Sequence, residues 1–277
     1  MKAFNSPESK AAVLSHYEVL LNRLTIPYER LNIGTRYGET FILSAGDKEN
    51  PPLFLLHGSS MNSAMWINDI NAMSRQYRVY APDIPGEPGQ SDEEQLPFET
   101  EDYTEWLSDV LDGLGIDKTI IVGASLGAWL ATKFTVSNPE KVSKLVLLCP
   151  AGIGSQNSAF KDIAISLLSK GETGVNELFC VINGGDPVPE AILSYQKLIA
   201  TSFNARQEPI PTFKDDELRR LVMPCAIFVG GKDIMLRSDQ TADRVAKLMP
   251  HAEVMVLPDK GHSLTGLADQ IMAFLMK

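Results

Sequence analysis

Along the chain, short and nearly continuous apolar runs alternate with longer stretches whose apolar positions recur every three or four residues. The runs are PLFLLHG (52–58), YRVYAPD (77–83), TIIVGAS (119–125), KLVLLCPAG (144–152), PCAIFVGGKD (224–233) and AEVMVLPDKGH (252–262). Their length and β-branched content predict buried strands. Between them, helical spacing appears around Met65 to Ser74, over TEDYTEWLSDVLDGLG (100–115), over LGAWLATKFTVSNP (126–139, closed by Pro139), once between 233 and 252, and from about Leu264 to the end. Two earlier segments, YERLNI (28–33) and RYGETFILSA (36–45), alternate in polarity and predict an antiparallel hairpin joined at Gly34. Val13, Tyr17, Leu20, Leu21 and Leu24 recur at helical spacing ahead of it. Apolar strands between amphipathic helices imply an α/β protein with a mostly parallel sheet covered on both faces.

One segment breaks the alternation. From Gly152 to about Val222 there is no β-rich run, and FKDIAISLLSK, GVNELFCVI and EAILSYQKLIA all have helical spacing. The reading is a core of residues 1–151 and 223–277 with a helical cap of residues 152–222. Such an insertion would project over the carboxyl ends of the strands, where ligands bind in open α/β sheets.

Composition narrows the function classes. Among 277 residues, 35 acidic and 25 basic side chains give a formal charge of −10, and no block of Lys and Arg offers a footprint for nucleic acid or anionic lipid. The apolar runs are too short to span a bilayer. The N-terminal stretch lacks a continuous apolar leader, which predicts a cytoplasmic protein. Cys149, Cys180 and Cys225 are odd in number and widely spaced, which predicts reduced, buried thiols. These patterns leave monomer and homodimer both open.

The candidate chemistry sits in VGASLGAWLA (122–131), where Ser125 lies between Gly123 and Gly127 at a strand-to-helix junction. With Gly and Ser each near roughly 7% of residues, Gly-x-Ser-x-Gly alone would arise by chance in about one such chain in ten. Context raises its weight, because a sharp turn there lifts a serine hydroxyl above the sheet edge. A serine needs a base to remove its proton. Of the four histidines only His262 follows a late strand, and Asp233 ends the strand before it. The order Ser125, Asp233, His262 puts a nucleophile, an orienting acid and a general base each just past a different strand. For the oxyanion, the backbone N–H groups of Ser59 and Leu126 are the candidates, with Ser60 the alternative to Ser59.

On these residues the chain resembles the α/β-hydrolase fold superfamily, through HGSS, GASLG, GGKD and KGHSL in that order. The stretch from TRYGETFILSAG through GASLGAWLATKF is similar to bacterial carboxylesterase NP-type serine esterases. The resemblance implies an α/β-hydrolase fold with an eight-stranded, mostly parallel sheet and an inserted cap. It also implies hydrolysis of small-molecule carboxylic esters, without metal or organic cofactor, in a pocket between core and cap. The cap's apolar faces favour small to medium hydrophobic substrates.

One departure stands out: many relatives carry Asp-x-x-Gly-x-Gly-x-Ser after the fourth strand, where this chain reads DIPGEPGQSD, with an extra residue and Pro88. The loop near Asp83 is therefore expected to shape the pocket differently. His57 is expected to hold the oxyanion loop and Asp83 to anchor its own loop. Ser60, Trp129 and Phe160 are candidate substrate contacts, although Trp129 and Phe160, like Trp66, Met61 and Met65, also suit a core. Other serine-triad reactions stay open: thioester, lactone or carbon–carbon hydrolysis, perhydrolysis and acyl transfer. So does a non-catalytic ligand sensor on the same fold.

Overall fold

The apolar runs become the strands of one sheet. The computed structural model describes residues 3–206 and 208–277. In chain order the elements begin with α1 (Pro7–Leu21), β1 (Tyr28–Thr35), β2 (Gly38–Ala45), β3 (Pro52–Leu56), α2 (Ile67–Met73), β4 (Arg78–Pro82) and α3 (Asp102–Leu114). They continue with β5 (Thr119–Ala124), α4 (Leu126–Ser137) and β6 (Val142–Leu148), then four consecutive helices: α5 (Phe160–Leu168), α6 (Glu172–Ile182), α7 (Glu190–Ser202) and α8 (Asp215–Leu218). The chain ends with β7 (Cys225–Gly230), α9 (Ser238–Leu248), β8 (Glu253–Leu257) and α10 (Ala268–Leu275).

The eight strands form one sheet in the order β1-β2-β4-β3-β5-β6-β7-β8. Pairings from β4 through β3 to β8 are parallel; β1–β2 and β2–β4 are antiparallel. Central β5 is buried along its whole length, whereas edge strand β1 has alternate residues exposed. Apolar residues of α3, α4 and α9 cover one face of the sheet, and those of α1, α2 and α10 cover the other. Trp106 on α3 is fully buried, with its indole N–H donating to Thr40 Oγ1 at 2.8 Å. Trp106→Ala is therefore expected to cost about 3–5 kcal/mol, read as a lower urea midpoint; a loss within the range of surface substitutions would contradict this packing.

Three expectations need correction. Gly34 lies inside β1, paired with Glu39, and the hairpin turns two residues later. There Gly38 takes the left-handed conformation (φ 99°), and a Cβ on it would strike Asp92. The last helix begins at Ala268 rather than near Leu264, because Gly266 at φ 72° interrupts the apolar periodicity that Leu264 and Leu267 share with it. Of the three free thiols, Cys149 and Cys225 are buried, but Cys180 on α6 is only partly so.

Between β6 and β7 the described residues form no strand; Phe4–Phe203 and Gln156–Leu236 are isolated bridges. This helical stretch meets the core at two places that matter for the site. Tyr195 of α7 accepts a hydrogen bond from Asn62 in the segment after β3 (2.6 Å), and the Ile182 carbonyl ending α6 accepts the His262 N–H (2.8 Å). Among the described residues no helix is long and apolar enough to cross a membrane.

Candidate active site

Ser125 is the hinge between β5 and α4, at φ 51° and ψ −109°. A side chain in this region is strained and persists only where its surroundings fix it. Its N–H donates to the Leu148 carbonyl of β6 (2.9 Å). Neither neighbouring glycine admits a side chain. A Cβ on Gly123 would meet the backbone of Gly127, and one on Gly127 would meet the carbonyl oxygens of Leu56 and His57. The elbow is thus wedged against β3, with the half-buried serine at the carboxyl edge of the sheet.

The three residues singled out from sequence come together. His262 Nε2 lies 3.0 Å from Ser125 Oγ, and His262 Nδ1 lies 2.8 Å from Asp233 Oδ2. Asp233 Oδ1 accepts the backbone N–H groups of Met235 (2.7 Å) and Leu236 (3.0 Å), which fixes the carboxylate. Burial alone would raise the Asp233 pKa, but His262 and these two amides hold it below the usual 3.8. Burial also opposes charge on His262, yet the Asp233 hydrogen bond and charge, together with Cys149, outweigh it and raise the imidazole above 6.5. Gly261 lets the histidine loop pass under the end of α6, since a Cβ there would strike the Ile182 carbonyl oxygen.

Sequence reasoning missed Cys149 at this site. It takes φ 40° just after β6, and its sulfur joins the His262 and Asp233 ligand atoms within 4.8 Å of one another. Among the described residues this is the one group of three that could hold a metal ion, and two of its members are committed to the serine hydrogen-bond chain. The only signal in the sequence was its place at the carboxyl end of a strand beside the elbow.

The turn after β3 faces the serine: a Cβ on Gly58 would stand 3.6 Å from that of Ser125. Among the described residues, the Ser59 and Leu126 N–H groups donate to no protein acceptor, whereas the Ser60 N–H is taken by Glu87 Oε2 at 2.6 Å. His57 braces this turn. Its Nε2 accepts the Ile84 N–H (2.9 Å), so its Nδ1 carries the proton toward the Gly58 carbonyl (2.9 Å), and burial lowers its pKa to about 4. Asp83 anchors the adjoining loop through the N–H groups of Ser63 and Gln90 (both 2.8 Å) and the Tyr17 hydroxyl of α1 (3.0 Å).

The candidate substrate contacts differ in how they are held. Trp129, one turn along α4 from Ser125, is 2% exposed, packs on Phe98 and Phe213, and donates its indole N–H to the Pro211 carbonyl. Its ring is committed to packing. Phe160 opens α5 and is partly buried.

Comparison with known proteins accords with this geometry. Residues 51–167 match the family model described as the alpha/beta hydrolase fold. An uncharacterised carboxylesterase, nap, of Bacillus subtilis is 30% identical over 243 residues, covering 84% of this chain and 80% of that protein. The chain belongs to the α/β-hydrolase fold family. Within it, carboxylesterase YbfK of the same organism is 29% identical over 95% of this chain and 91% of its own length. The crystal structure of B. subtilis naproxen esterase (carboxylesterase NP) superposes with a TM-score of 0.88 at 26% identity, covering 98% of this chain and 99% of that one. This α/β-hydrolase is a carboxylesterase-like enzyme.

Proposed function

We propose that the protein hydrolyses carboxylic esters of small to medium hydrophobic substrates through an acyl-enzyme on Ser125. The observation that carries this reading is the unbroken hydrogen-bond chain Asp233–His262–Ser125, set beside two unpaired backbone amides. His262 Nε2 takes the Ser125 proton as Oγ attacks the ester carbonyl, and Asp233 stabilises the imidazolium and keeps Nδ1 protonated. The Ser59 and Leu126 N–H groups receive the oxyanion. His262 then protonates the departing alcohol, and a water activated by the same nitrogen releases the acid. Residues 152–222 serve as the cap of this pocket, a role supported by the α6 and α7 contacts to His262 and Asn62.

The test is turnover of p-nitrophenyl esters of increasing acyl length, with an initial burst of one equivalent of nitrophenol per chain wherever deacylation limits the rate. A folded protein with neither turnover nor fluorophosphonate labelling would defeat the reading in favour of a ligand-binding role. A pH prediction follows from the charges around the base. Imidazolium cannot accept the serine proton, so kcat/KM is expected to rise with pH. Because Asp233 and Cys149 hold the His262 pKa above 6.5, the midpoint of that limb should lie on the alkaline side of this value. A midpoint at or below 6.5 would contradict it.

A further inference from the structure

The loop after β4 holds a buried acid that the triad does not use. Glu87, in the departing stretch DIPGEPGQSD, is 3% exposed. A carboxyl group loses hydration when buried, so its place needs a compensating contact. Oε2 accepts the Ser60 N–H at 2.6 Å, and among the described residues this is the only hydrogen bond to its side chain. Arg206, in the segment after α7, and the Tyr103 hydroxyl on α3 are its electrostatic neighbours. Arg206 is engaged elsewhere, with the Glu208 carboxylate, the Leu96 carbonyl and the Tyr103 hydroxyl.

The acceptor is rigidly mounted and its target is strained. Ser60 has φ 56°, a conformation that a serine leaves unless held. On the Glu87 side, Gly89 N–H donates to the Glu87 carbonyl (2.7 Å), and the Pro88 carbonyl accepts from Asn62 Nδ2 (2.8 Å). A Cβ on Gly86 would strike Gln95 and one on Gly89 would strike Asp83, so the loop has little room to shift.

We infer that Glu87 is a positioning residue for the oxyanion site: by holding the Ser60 N–H it fixes the strained turn so that the preceding Ser59 N–H stays free for the developing charge. The inference rests on the reading of Ser125 as nucleophile, and it decides between Ser59 and Ser60 because the Ser60 donor is already engaged. Burial supports it, pushing the Glu87 pKa up to about 8. At neutral pH the group is then mainly a neutral acid, whose carbonyl oxygen still accepts a hydrogen bond without setting a full negative charge beside the oxyanion. Glutamine has the same shape, neutrality and acceptor.

Glu87→Gln is accordingly expected to keep kcat, and Glu87→Ala to lower it by about 10- to 100-fold, the scale of a small misplacement of reacting groups. KM should change little, because the contact acts in the transition state. Unchanged kcat in Glu87→Ala, equal damage in Glu87→Gln, or a loss confined to KM would overturn the inference. End-point fluorophosphonate labelling and a melting curve for each variant separate mispositioning from misfolding, and absence of labelling in the wild type would strike the Ser125 reading instead. Amide exchange tests the hydrogen bond without turnover. The Ser60 N–H should exchange slowly in the wild type and in Glu87→Gln; fast exchange in the wild type would overturn the inference whatever the kinetics.

Discussion

Ser125→Ala is expected to lower kcat toward ester substrates by about 10⁶-fold, the loss seen when the nucleophile of a serine triad is removed. In the proposed mechanism the change deletes the attacking atom, Oγ, which lies 3.0 Å from His262 Nε2. It leaves the elbow intact: Gly123, Gly127 and the Ser125 N–H bond to Leu148 do not depend on the hydroxyl. Stability should fall by no more than the about 1 kcal/mol typical of a single hydrogen bond. Residual turnover would come from the amides and from water, without a burst. The decisive comparison is kcat and fluorophosphonate incorporation in the two proteins with matching melting curves. A variant that still forms an acyl intermediate would move the nucleophile elsewhere, and Cys149, beside His262, would be the first residue to examine.

The sheet could be read from the sequence because its central strands are buried on both faces and so lack polar interruptions; β5 and β7 have no exposed position. Ser125, Asp233 and His262 could be picked out for a related reason, since each stands just past the end of such a strand, and the structure brings the three within hydrogen-bond reach. What escaped depends on tertiary neighbours. Gly34 and Gly38 are equally good turn residues in sequence, and the cross-strand register, with Gly38 at positive φ, decides between them. Cys149 reads as a core thiol because its neighbour His262 is 113 residues away in sequence, brought to it by the parallel order β6-β7-β8. The departure at DIPGEPGQSD marked the loop as unusual, but the reach of Glu87 to Ser60 appears only once β3 and β4 lie side by side. Tyr17 likewise reads as one more apolar position on α1, whereas its hydroxyl donates to Asp83 in the loop after β4.

Asp233→Asn should cost about 10⁴-fold in kcat, as loss of the orienting carboxylate does in a serine protease. Oδ1 already holds two backbone N–H groups, from Met235 and Leu236, so the amide oxygen of asparagine will occupy that position. The amide nitrogen then faces His262 Nδ1, where the carboxylate oxygen stood at 2.8 Å. Because that nitrogen can only donate, it selects the imidazole tautomer protonated at Nε2, which cannot accept the Ser125 proton. The same change removes the charge and the hydrogen bond that raise the His262 pKa, while burial, which lowers it, remains. Two readouts should therefore move together: the plateau of kcat/KM falls, and the midpoint of its rising limb shifts to lower pH. A loss of less than about tenfold, too small for a wrong-tautomer base, would mean that another carboxylate orients the ring. Asp239 is the nearest in sequence, but it is engaged with Arg237 at 2.7 Å. That carboxylate is more than half exposed and, among the described residues, makes no hydrogen bond to His262, whereas Asp233 is buried against the ring, so the full loss is the expected result.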